Sequence, residues 1–561
     1  MSVELLRDAL ARLPRADHVR PDQEITRDEI YVVPAHRAVL DLERPLVVAN
    51  RGMGKSFWAH ALRDPEPRKS IGAELRLSEL ASVDARLVFN GGEKTHEGAV
   101  TRDILAQAAS WGFSPREIFR AVVLRFLAER VGEGIGSTLV EQLTWQRENP
   151  ERAASVWTRA DAQGPKLLLV FDGLDRLGES WPASQDLLQG LLQVALEAQS
   201  LEKLRLKLFL RLDQFDDLAL FRFADSSKLR SRSVPLSWTA DDLYRLLFFR
   251  LERVDPRVAD SLVGTLHDKV CALAGEFMGS DRRRGRVSTW VPTHLADMRG
   301  DIAPRTFLTA WSEAAKEVLA RNQKPELPVD PKAIHRGVQL AAEDRVSELD
   351  EDYPWVRPAL EALKDKLVPI EWQDLEELWT ERRTLFEAIK RAKEQMIWVP
   401  PSLVERSGEA ELRDALGSIG VLRLHDNGKV NVPDIFRVAF GIGYQKDSEF
   451  NAGAQIGAGT AGVLCANTCD VESEEWKGSL SILHVQSGLF VTTAYAVREL
   501  SGFAAPGIAY VGPDITNWWI AGGIRQNWTG FGATVIWGEY GVFKGGLAQT
   551  AFLAATARRI M

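Results

Sequence analysis

Leu46-Val47-Val48-Ala49-Asn50-Arg51-Gly52-Met53-Gly54-Lys55-Ser56-Phe57 is the stretch on which the fold turns. The apolar run Leu46 to Ala49 reads as a buried strand, a small-residue loop follows, and a helical pattern starts at the Lys-Ser pair and continues through Trp58, Ala59 and Leu62. Strand, tight loop and helix N-terminus in that order make a phosphate-binding loop. Small residues let backbone N–H groups close around phosphate oxygens, Lys55 meets the charge of the β- and γ-phosphates, and Ser56 supplies a hydroxyl to Mg²⁺ at the helix N-terminus. The residues expected against a bound nucleotide are Asn50, Arg51, Gly52, Met53, Gly54, Lys55, Ser56 and Phe57. One position departs from G-x-x-x-x-G-K-[ST]: Ala49 stands where the first glycine belongs, while Gly52 keeps the loop permissive.

A second strand fits the same chemistry. Lys166-Leu167-Leu168-Leu169-Val170-Phe171-Asp172-Gly173-Leu174-Asp175-Arg176 is an apolar run ending in acids, and Asp172 is placed to hold Mg²⁺ through water as a Walker B aspartate does. Many ATPases of this class carry Glu directly after that Asp to orient the attacking water; here the residue is Gly173, and Asp175 is the nearest candidate. If Asp175 serves only as a helix cap, hydrolysis is slow or absent. A third strand is expected over residues 206–213, and its polar end offers Arg211 or Asp213 as a sensor of the γ-phosphate, against the plainer reading of a solvated strand end. Further on, Pro304-Arg305 opens a helical pattern, and a guanidinium there can meet phosphate oxygens in a bidentate manner or form a surface salt bridge.

Over residues 30–445 the chain resembles the AAA+ and STAND groups of P-loop ATPases. The resemblance rests on Lys55-Ser56, the Asp172-Gly173-Leu174-Asp175 element, the Arg211/Asp213 strand end and Pro304-Arg305. It implies an α/β P-loop NTPase fold, in which a parallel sheet flanked by helices is followed by a helical lid, and nucleotide-driven switching with ATP and Mg²⁺ as cofactors. The segment Val430-Asn431-Val432-Pro433-Asp434-Ile435-Phe436-Arg437-Val438-Ala439-Phe440-Gly441-Ile442-Gly443 is similar to one that ends uncharacterised bacterial ATPases. Leu243, Leu246, Leu247 and Leu251 suit an all-helical lid. Helices over 358–364 and 375–396, then an Asn427-Gly428 hairpin, resemble a winged-helix domain. Such a domain binds DNA or docks proteins, and no basic recognition helix is present; Arg282-Arg283-Arg284-Gly285-Arg286 reads as a solvated loop or a phosphate or partner contact.

The 561 residues, 45% hydrophobic and 26% charged, suffice for about three or four domains. A net charge of −8 implies no general polyanion-binding surface. Cys271, Cys465 and Cys469 are too few for a disulfide framework, and the latter two lack a second ligand pair for zinc. The last fifth differs from the rest, with 13 charged residues and 17 of the 43 glycines in residues 451–561. Its G-x-G-x-x-G at 457–462 lacks the acid about 20 residues on that a dinucleotide site needs, and chance explains it better. Alternation is more telling: Trp518, Ile520, Gly522 and Ile524 share one face, and Thr529-Gly530 marks a turn before a second strand over 533–543. Residues 450–550 resemble a fragment of alphaproteobacterial outer-membrane porins, giving an antiparallel β segment of about six to eight strands where those barrels close with about sixteen.

The expected organisation is therefore an N-terminal helical segment (1–30), ATPase core (31–237), helical lid (238–324), winged-helix-like domain (325–445) and glycine-rich β segment (446–561). The expected function is a cytoplasmic ATP-binding switch, read without a secretory signal, with Ser56 and Asp172 on the metal, and Asp175, Arg211 and Arg305 in catalysis, acting on an unknown protein partner. The alternatives are a porin-like outer-membrane protein and a scaffold that binds ATP without turnover.

Overall fold

The computed structural model describes residues 2–14, 25–91, 99–279, 285–394 and 408–444, and the strands between 471 and 559. Contacts divide the chain into two units, Met1–Ala359 with Trp379–Arg423 and Pro433–Ala439, and Leu360–Leu378 with Leu424–Val432 and Phe440–Met561.

The first unit is built on a five-stranded parallel sheet: β1 (Leu46–Ala49), β2 (Asp84–Phe89), β3 (Leu167–Phe171), β4 (Leu204–Arg211) and β5 (Val234–Pro235), in the order β2-β3-β4-β1-β5. The apolar runs that mark β1 and β3 in the sequence are unbroken because both faces of the sheet are covered, as parallel sheets require. Leu167, Leu169 and Phe171 enter one core with Leu206, Leu208 and the helices Pro115–Val131 and Trp181–Ala198. Leu168 and Val170 enter the other, with Val47, Phe209, Trp58 and Leu62. Because β4 lies between β1 and β3, with Ala49 opposite Arg211 in register, the ends carrying the Lys55 loop, Asp172 and Arg211 open on one edge. Ligands of open parallel sheets sit at such an edge.

A helical core follows, from Ala240–Val254, Leu266–Ala274, Val287–Leu295, Pro304–Leu319 and Pro331–Asp352. Leu243, Leu246, Leu247 and Leu251 are buried in it, and the helix Ser2–Ala11 adds Leu6, Ala9 and Leu10. Arg7, also buried, donates to the carbonyls of Pro325, Leu327 and Pro328. Gly337 lets two long helices cross closely: a Cβ there would stand 2.2 Å from the Ala310 carbonyl oxygen. That crossing carries the end of Pro331–Asp352 to the edge of the sheet.

Two boundaries differ from the sequence reading. β4 stops at Arg211, whose backbone N–H donates to the Gln214 side chain, so Asp213 sits in the short helix Leu212–Asp216. The helix expected over 375–396 is two, Trp372–Glu381 and Thr384–Glu394, with Arg383 between them at φ 52°.

In the second unit the Asn427-Gly428 turn closes as expected, His425 N–H donating to Lys429 O with Gly428 at φ 82°. The strands Val471–His484, Leu489–Ala505, Ile508–Val511, Ile515–Trp528, Gly532–Gly545 and Ala548–Arg559 form one antiparallel sheet. The expected hairpin is there, with Trp528 opposite Gly532 and Trp518 opposite Val542. Arg282, Arg283, Arg284, the glycine motif at 457–462, and Cys465 and Cys469 lie outside the described residues. Among the described residues no helix is long and apolar enough to cross a membrane.

Candidate functional site

The loop after β1 turns through Gly52 at φ 81° and Gly54 at φ 101°, and Gly54 caps the helix Lys55–Arg63. Its shape is held from below by an aromatic group. Trp238 Nε1 donates to the Met53 carbonyl at 2.9 Å, and His36 stands edge-on to Trp238 and Trp58, its Nε2 2.9 Å from the Ser237 carbonyl. Phe57 packs edge-on against Trp58.

Lys55 curls back over the loop and donates to the carbonyls of Ala49 and Asn50, each at 2.9 Å. Burial, then the positive charge of Arg211, push its ammonium down to about 8 against the pull of Asp172, Asp175 and Asp213. Asp172 follows β3 and is anchored by its own N–H donating to Phe89 O on β2. Its carboxylate accepts from the Ser56 hydroxyl. Burial raises the Asp172 pKa, and the Ser56 hydrogen bond and the Lys55 charge offset only part of that. Hydroxyl and carboxylate thus lie close to the Lys55 ammonium, a donor set suited to a magnesium ion that keeps waters and phosphate oxygens as its other ligands. Among the described residues no three His, Cys, Asp or Glu gather to hold a metal by themselves.

Asp175 lies on the 3-10 turn Leu174–Arg176. Burial pushes its carboxyl up, but Arg211, Arg176 and Lys55 together hold it below its usual range. Arg211 is the hub of the sheet edge: it pairs with Asp175 (3.5 Å), Asp213 (3.2 Å) and Asp352 (3.2 Å) and lies over the Tyr353 ring at 4.9 Å.

Neither a protein-family model, nor a curated protein, nor a solved structure matches the chain.

The structure brings Lys55, Ser56, Asp172, Asp175 and Arg211 together. Arg305 sits just above, near Gly52, where a Cβ would meet Ala303 Cβ at 3.2 Å and Arg305 Cβ at 3.9 Å. It pairs with Glu348 at 2.5 Å, and Glu348 also takes Arg345 at 3.0 Å. The loop residue Arg51 pairs with Glu351 (3.1 Å) and Asp352 (2.9 Å), and Asn50 Nδ2 donates to Asp297 at 3.3 Å. Asp297 is pushed up to about 6 by burial and by Asp301. The cavity among Asn50, Arg51, Met53, Asp297, Ala303 and Arg345 is about 10 Å³, the room of one water. His36, Trp238, Asp297, Arg345, Glu348, Asp352 and Tyr353 escaped the sequence reading, because no local spacing ties an acid at 352 to a loop at 51.

Proposed function

We propose that the protein is an ATP-binding switch whose sheet edge takes a triphosphate with Mg²⁺. The observation that carries this reading is the gathering of the Ser56 hydroxyl, the Asp172 carboxylate and the buried Lys55 ammonium at the edge where Arg211 also ends its strand. Lys55 would exchange two loop carbonyls for phosphate oxygens, and Ser56 and Asp172 would hold the ion. A bound Mg²⁺ neutralises phosphate charge and polarises the phosphorus–oxygen bonds. Arg211 and Arg305 bring fixed positive charge toward the terminal phosphate, and Asp175 is held ionised, as a water-orienting group must be. Titrating wild type, Lys55→Ala and Asp172→Ala with ATP and Mg²⁺ tests the reading: each substitution is expected to weaken binding about tenfold or more, and equal binding by all three overturns it.

The Lys55 charge adds a pH signature. Free Lys55 loses its proton near pH 8, whereas the phosphate-bound form requires it. Affinity should therefore be flat below about 8 and fall toward tenfold per pH unit above it. A profile flat to pH 9.5 would argue against Lys55 as the phosphate contact.

One observation favours a second reading, a scaffold that binds nucleotide without turnover. Gly173 stands where a water-orienting acid is expected, and Asp175 is engaged with Arg211. Binding with no phosphate release by the wild type selects it.

A further inference from the structure

The Arg51 and Arg211 guanidinium groups come from separate places, the loop after β1 and the end of β4, yet they converge on one carboxylate oxygen. Asp352 Oδ1 lies 2.9 Å from Arg51 and 3.2 Å from Arg211. Resting on the nucleotide reading above, we propose that Asp352 is an intramolecular stand-in for the terminal phosphate, a latch that nucleotide must displace from Arg51 and Arg211.

Three observations point the same way. Asp352 is the last residue of the helix Pro331–Asp352, whose final turn holds no basic residue; a carboxylate at a helix C-terminus is opposed by the helix dipole, so the helix itself gives no reason for the acid. The neighbouring acid Glu348 occupies the other two arginines of the rim, Arg305 and Arg345. A triphosphate entering against Lys55 therefore meets Asp352 and Glu348 as like charges on the arginines it would use. Finally, Tyr353, whose N–H donates to Leu349 O at 2.7 Å, puts its ring under Arg211, so the helix end and the arginine are held as one contact.

The latch implies two states, one with Asp352 on the arginines and one with phosphate there and the end of the helix released. A ligand shifts such a balance only through its differential affinity for the two. The helix 331–352 packs along Pro304–Leu319, so its release would pass from the phosphate site into the helical core.

The test uses the full chain. Dissociation constants for ATP·Mg²⁺ and for inorganic tripolyphosphate are measured for wild type, Asp352→Asn and Glu351→Gln, and amide hydrogen exchange over 346–353 is followed in wild type with and without saturating ATP·Mg²⁺. Asp352→Asn is expected to tighten both ligands about tenfold, within the usual range of coupling between linked sites. Glu351→Gln, which removes an exposed partner of Arg51, is expected to change them less than twofold. Exchange over 346–353 should rise on ATP binding. Equal affinities for wild type and Asp352→Asn, or unchanged exchange in an ATP-bound wild type, overturn the latch and leave the nucleotide reading standing. Absence of ATP binding by every form, wild type included, overturns the nucleotide reading and the latch with it. Should Asp352→Asn fail to fold, the exchange experiment on wild type decides alone.

Discussion

Gly173→Glu, the substitution that would place an acid directly after Asp172, is expected to destabilise the sheet by about 3–5 kcal/mol and to give no gain in ATP turnover. The residue sits at φ 66° and ψ 32°, a conformation that side chains with a Cβ rarely adopt. Any Cβ there would stand 2.7 Å from Gly91 Cα, 2.8 Å from Gly91 N and 2.9 Å from the Asn90 carbonyl carbon. These are backbone atoms following β2, and Gly91 is itself at φ 69°, so neither chain can swing a side chain aside. Most of the cost belongs to Cβ, and Gly173→Ala should show nearly all of it. Urea denaturation followed by circular dichroism measures the loss for each variant. A Gly173→Glu protein that unfolds at the wild-type midpoint and turns ATP over faster would contradict this account. Glycine at 173 is therefore a consequence of two strands' loops touching through two glycines, and under the proposed reading an acid that orients water would come from further along the chain, where Asp175 lies.

The parts of the fold visible in the sequence are those whose physics is local. β1 and β3 are short, fully buried and followed by a small-residue loop and an acid, so composition alone marks them. β2 escaped because it is the edge of the sheet, with Arg86 exposed among Ala85, Leu87 and Val88, and β5 escaped because it is two residues long. The break between Trp372–Glu381 and Thr384–Glu394 has neither glycine nor proline to announce it; Arg383 takes the left-handed conformation instead, and helical periodicity reads straight through. At the candidate site, Lys55, Ser56 and Asp172 were legible because the proposed role of each would demand one residue type at one place on a strand or helix end. Arg211 and Arg305 were legible as residues but not as partners. Their carboxylates, Asp352 and Glu348, are acids in a long helix full of acids, and only the close crossing at Gly337 singles them out. The pairing of Asp175 with Arg211 likewise depends on β4 lying beside β3, which strand order decides.

Lys207→Met is expected to cost about 3 kcal/mol or more, although Met nearly matches Lys in volume and suits a strand interior. Lys207 lies within β4 between Leu206 and Leu208 and has no exposed surface. Its ammonium donates to three carbonyls of one segment, Val39 at 2.9 Å, Asp41 at 2.5 Å and Arg44 at 2.7 Å. Burial pushes that ammonium down to about 7 against the pull of Asp41 and Glu43, so the charge is costly, and Met would recover that cost. The substitution would also strand the buried Val39 carbonyl and the half-buried Arg44 carbonyl and leave the Asp41 carbonyl with the Arg44 N–H alone, and an unsatisfied acceptor costs about 1–3 kcal/mol. With two acceptors stranded, a third weakened and one ammonium relieved, the loss wins. The segment they belong to leads directly into β1, whose Leu46 and Val47 pair with Leu208 and Phe209. The side chain thus fixes the approach of the strand before the Lys55 loop to the strand that carries Arg211. Denaturation midpoints for Lys207→Met and wild type measure the effect, and ATP·Mg²⁺ affinity should fall with it because Lys55 and Arg211 would no longer share one register. A Met variant as stable as wild type would show that the Val39 and Arg44 carbonyls find other donors, and would remove Lys207 from the set of residues that position the site.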